Sequence, residues 1–210
     1  MNPFADLARR VVQLLTGLVL FGTGLWLGLQ AHLGVGPWDV LHGGLAARLD
    51  EPFGRTSIAV STVVLAVALA ARVRPGVGTV LNVVLLGVTI DVLLGTSLLD
   101  GLGERPLLLR LLTTLLGIAV VAVGSALYLG AHLGPGPRDG LMVAIAARTG
   151  WSVGLARGVL ECTVLVVGIA LRGPVGVGTV LFALGIGPAV QVSFRLLGQT
   201  PARRPVEVPP

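Results

Sequence analysis

The chain has 210 residues, of which 54% are hydrophobic and only 12% charged, with 31 glycines, one cysteine and a formal net charge of +5. Its mean hydropathy of +0.92 leaves too little polar surface to coat a soluble globule, so it belongs in a bilayer. The positive charge is all arginine and has no interleaved aromatics, which excludes a nucleic-acid partner, and the lone Cys162 excludes an intramolecular disulfide or a cysteine metal cluster.

Residues 1–10 are expected to form a cytoplasmic N-terminus. Val11 to Ala31 then gives 21 residues without a charge, enough to cross a ~30 Å hydrocarbon core at ~1.5 Å per residue. The run is too long for a signal-peptide core and is followed by no small-residue cleavage site, so it is expected to be retained as a spanning helix. Apolar segments run from Val11 to Leu33, Thr56 to Ala71, Val77 to Leu99, Leu107 to Leu133, Val153 to Leu171 and Val177 to Leu197. Two shorter ones, Trp38 to Leu49 and Arg138 to Thr149, each follow a Gly-x-Gly-Pro sequence. At about 18 Å of helix they are too short to span, and are expected to re-enter, lie at an interface or be buried. Residues 100–106 form a connecting loop, and 199–210 read as a disordered, proline-rich tail.

A shift of 100 residues lays one half of the chain on the other without a gap. From Gly17 to Val92, 29 of 76 positions are identical to their counterparts, including Ala31-His32-Leu33-Gly34-x-Gly36-Pro37-x-Asp39 against Ala131-His132-Leu133-Gly134-x-Gly136-Pro137-x-Asp139. The expected fold is therefore an all-α polytopic membrane protein of two tandem repeats, 11–99 and 107–198, each with three long helices and one short one. Three crossings per repeat would invert the halves and four would make them parallel. Arginine distribution satisfies the positive-inside rule in both cases; length favours three.

The interruptions carry most of the chemistry. Pro37 and Pro137 suit the first position of a helix, after Gly34, Gly36, Gly134 and Gly136 have ended the preceding one. Asp39 and Asp139 then fall in a first turn, where a carboxylate caps unpaired N–H groups; the functional alternative is that they line a substrate or ion path. His32 and His132 suit a helix C-terminus as caps, or a proton-sensitive gate. Asp91 lies inside an apolar segment with no partner one turn away and has Gln191 as its counterpart, which makes it a candidate protonatable transport residue. Glu161 has Arg157 at i−4, the spacing of a structural ion pair. Thr79 and Thr179 read as N-caps, and the Gly24/Gly28, Gly130/Gly134, Gly150/Gly154 and Gly154/Gly158 pairs as helix-packing signals. No metal-ligand spacing, cofactor fingerprint or nucleophile–base set is present, so neither metal, cofactor nor enzyme activity is expected.

Gly-Pro-x-Asp-Gly-Leu-Met-x-Ala-Ile-Ala-x-Arg-Thr-Gly-Trp-Ser-Val-Gly, residues 136–154, followed by Gly-Val-Gly-Thr at 176–179, resembles the YczE/YyaS/YitT family of bacterial integral membrane proteins, closest to its YczE branch. The similarity spans roughly residues 10–198 and implies a multi-pass protein of the bacterial cytoplasmic membrane; it carries over no catalytic residue. The function these features favour is a permease for a small solute or ion with its site between the repeats, near Asp39, Asp139, His32, His132 and Asp91. The alternative is a non-transporting scaffold or regulatory partner. The bilayer is the expected partner, together with the solute and a second copy of the chain.

Overall fold

The computed structural model describes residues 3–73 and 75–199. Among them are eight α-helices: α1 (Pro3–Gln30), α2 (Pro37–Leu49), α3 (Phe53–Ala70), α4 (Val77–Leu94), α5 (Leu107–Gly130), α6 (Pro137–Thr149), α7 (Val153–Ala170) and α8 (Val177–Leu196), with one 3₁₀ turn at Leu102–Glu104 and no strand. Six of them are long and apolar enough to cross a membrane. Their outward faces carry side chains such as Val63, Leu112, Val166 and Leu184, all more than half exposed, as lipid-facing surface requires. The 13-residue α2 and α6 are too short to cross. Residues 3–10 are the first turns of α1 rather than a separate segment, α4 stops at Leu94 instead of running on to Leu99, and the expected tail lies, past Gln199, outside the described residues.

Helix boundaries follow the local chemistry. The backbone leaves α1 and α5 through His32 (φ 52°) and His132 (φ 55°), both left-handed, and the next helices start at Pro37 and Pro137, whose missing N–H groups would have had no helical acceptor. Gly34 and Gly134 also have positive φ, and a Cβ on either would collide with backbone of the other half: Gly176 for the first, Gly76 for the second. The long helices pack backbone to backbone, as they must where lipid removes any hydrophobic drive for helix association. A Cβ on Gly17 would strike Gly124 O, and one on Gly24 would strike Gly117 O, so α1 and α5 run antiparallel along a glycine-lined seam. Of the glycine pairs expected to mediate packing, Gly24 does so, while Gly150, Gly154 and Gly158 have nothing within 4 Å of a built Cβ.

Contacts across the molecule recur with the halves exchanged. Gly178 N–H donates to Leu33 O (2.6 Å), and Gly78 N–H donates to Leu133 O (2.8 Å). Helix α2 packs on α7, and α6 on α3. Together with the antiparallel α1 and α5, this places the two halves in opposite orientation, with three long helices each. The main core lies where α1, α4 and α5 meet, around Leu14, Leu18, Leu25, Leu86, Ile90, Val121 and Tyr128.

Candidate functional site

The two short helices aim their N-termini at one place. A cavity of about 360 Å³ there is lined by Gly36, Pro37, Trp38 and Asp39 from the first interruption and by Gly136, Pro137, Arg138 and Asp139 from the second. Every helix except α3 contributes to the wall, including Asn82 of α4, Ser125 and Tyr128 of α5, Arg157 and Glu161 of α7, and Phe182 and Gln191 of α8.

Neither aspartate is an N-cap. Those positions belong to Gly36 and Gly136, which have no capping side chain, and the carboxylates sit two residues after the helix-opening prolines. Asp139 accepts from the Tyr128 hydroxyl at 3.3 Å. Asp39 faces His42, with Nδ1 3.5 Å from Oδ1, a separation too long for a good hydrogen bond. His42 is fully buried with its ring edge-to-face against Phe53. Arg157 and Glu161 form the expected pair, at 2.9 Å, and it stands in the cavity wall.

The other sequence candidates lie elsewhere. His32 and His132 are exposed at the ends of α1 and α5, away from the cavity lining. The carbonyls at the end of α1 are capped instead by Arg110, which donates to Ala31 O (2.9 Å) and His32 O (2.7 Å). Asp91 is in the last turn of α4 and does have partners, though not on its own helix: its carboxylate accepts from the Gly54 N–H (2.6 Å) and the Arg55 N–H (3.0 Å) at the start of α3. A positive helix end thus compensates the charge that sequence spacing left unpaired. Thr79 and Thr179 likewise sit inside their helices, accepting from the N-cap residues Gly76 and Gly176, and Thr79 donates across the halves to Pro135 O.

Among the cavity residues that the sequence reading did not single out are Trp38, Arg138 and Tyr128. Tyr128 is the one tyrosine in the chain. Trp38 and Arg138 occupy corresponding places one after each proline, and the Arg138 guanidinium carbon lies 4.7 Å from the centre of the Trp38 ring. The replacement of one by the other between the shared Pro and Asp of the repeated motif was the available signal.

A family model described as a family of unknown function (DUF6198) matches residues 8–195. The chain belongs to that family. An uncharacterized protein of Haemophilus influenzae is 38% identical over 192 residues, 90% of this chain and 84% of its own length. From Bacillus subtilis, the uncharacterized membrane protein YczE is 32% identical over 97% of this chain and 95% of its own, and the uncharacterized protein YyaS is 26% identical over 79% and 82%. No solved structure matches. With a membrane protein among such full-length relatives and six apolar spans in the fold, the family member described here is an integral membrane protein.

Proposed function

We propose that the protein is a small-solute permease of the bacterial cytoplasmic membrane, built from a duplicated and inverted three-helix unit, with the cavity as its solute site. The observation that carries this reading is the lining of the cavity by both Gly-x-Gly-Pro-x-Asp interruptions at once. Irregular backbone and charged groups are costly inside a membrane unless they serve a water-accessible path, and paired interrupted helices are how inverted-repeat transporters build a site.

The seams on either side of the cavity support the reading. In the first half, α3 and α4 touch at Gly54 and Gly87, where a Cβ on either glycine would collide with the other's carbonyl. In the second half the corresponding glycines, Gly154 and Gly187, have nothing within 4 Å, and α7 and α8 barely touch. The exposed lining residues Gly187 and Gln191 lie along that gap. Transport would close Gly154 on Gly187 while Gly54 parts from Gly87, moving access from one side to the other by exchanging the states of the two seams.

The test is a Gly154→Cys/Gly187→Cys pair in a Cys162→Ala background, reconstituted in liposomes. Oxidation is expected to link the two cysteines and stop solute flux, with reduction restoring it, because a disulfide needs Cα atoms within about 7 Å. Absence of flux for a broad panel of metabolites and ions would sink the permease reading, and a pair that never links while flux proceeds would sink the exchange of seams.

A further inference from the structure

We propose that the cavity binds a compact solute bearing a singly charged oxyanion, held by the guanidinium of Arg138 with the Trp38 indole as its backing. The proposal rests on the cavity being a solute site and specifies what that site recognises.

Arg138 is the one cavity cation left open. Among the described residues it makes no direct hydrogen bond or salt bridge; its guanidinium lies over the face of Trp38, within the electrostatic reach of Asp39 and Asp139. Arg157 is paired with Glu161 and Asp139 accepts from Tyr128, while Asp39 stands 3.5 Å from His42. An indole against one face of a guanidinium leaves its N–H edges available, and those edges match the two oxygens of a carboxylate or phosphate. The N-termini of α2 and α6 open on the same space through Gly36 and Gly136, adding partial positive charge from two directions.

The surrounding carboxylates limit the charge. Asp39, Asp139 and Glu161 line the cavity beside Arg138 and Arg157 and would repel a second negative group, so a dianion is disfavoured relative to a monoanion. The oxyanion could enter as a water-soluble carboxylate or, through the gap between α7 and α8, as the phosphodiester of a lipid headgroup.

Binding to the full-length protein in phosphatidylcholine nanodiscs distinguishes these cases. Lactate and dimethyl phosphate are the soluble probes, succinate the dianion, tetramethylammonium the cation and glycerol the neutral control; the lipid arm replaces part of the phosphatidylcholine with phosphatidylglycerol. At least one monoanionic probe is expected to raise the melting temperature saturably, with affinity falling about tenfold or more in Arg138→Gln and by less in Arg138→Lys. Response to phosphatidylglycerol alone, lost in Arg138→Gln, would identify the lipid headgroup as the source. Should Arg138→Gln fail to fold, Trp38→Leu supplies the second measurement, weakening the same probe severalfold while leaving glycerol and tetramethylammonium inert. Preference for tetramethylammonium, undiminished anion binding in Arg138→Gln, or no response to any monoanion would overturn the proposal. Flux of a cation through a cavity that ignores anions would remove the oxyanion and keep the permease; Arg138-dependent binding of lactate without flux of any solute would do the reverse.

Discussion

The α3–α4 and α7–α8 pairs start from glycines at the same positions and differ in what surrounds them. Gly54 and Gly87 are buried against each other, whereas Gly154 and Gly187 are exposed. The residues that differ follow the same division. Where α3 carries the buried Ser57 and Ser61, α7 carries Arg157 and Glu161; where α4 carries Asp91, clamped to the start of α3, α8 carries Gln191, exposed in the gap. Small and self-satisfied groups accompany the shut seam, and a charged pair with an unclamped amide accompanies the open one. The glycines stand at the same positions in both halves, and the polar residues beside them differ with the state of the seam.

Substitution at the glycines tests this most strongly. Gly54→Ala drives a methyl into Gly87 O and is expected to cost about 3 kcal/mol through overpacking, while Gly154→Ala, facing open space, should change stability by no more than about 1 kcal/mol. Thermal unfolding in detergent would show it; equal losses at both positions would erase the distinction. Next in size is the clamp. Asp91→Ala removes an acceptor from two N–H groups and should cost about 1–2 kcal/mol, against roughly 0.5 kcal/mol or less for Gln191→Ala. Asp91→Asn should recover only part of that loss, since the amide offers one acceptor and no charge to the helix end. The smallest effect is expected from Arg157→Ala, which breaks a partly exposed i,i+4 pair worth about 0.3–0.5 kcal/mol, so a large drop in solute binding with nearly unchanged unfolding would mark the pair as a lining element more than a structural one.

Much of the fold was legible in the sequence because it is written in local terms. Charge-free runs locate the six long helices, and the helix boundaries at Pro37 and Pro137, Phe53 and Val153, Val77 and Val177 recur at an offset of 100. Asp39 and Asp139 were also found, being part of the repeated interruption. What sequence spacing could not supply was contact across elements. Asp91 read as unpaired because its partners are backbone N–H groups 36 and 37 positions away, and such groups leave no trace in residue identity. Arg138 read as a topological charge because the ring that backs it belongs to the other half. His32 and His132 stood inside the most repeated motif, yet the backbone turns left-handed at both and leaves them exposed.

The exchange of contacts between halves also bears on how the chain is made. Leu33 O receives its donor from Gly178 and α2 its long neighbour from α7, so the first half enters the membrane with surfaces that stay unmatched until synthesis has passed residue 178. Ribosome-bound intermediates ending near residue 100 therefore lack the α7 and α8 contacts of the first interruption. A chain shortened before α8 loses the partner on which its N-terminal interruption closes.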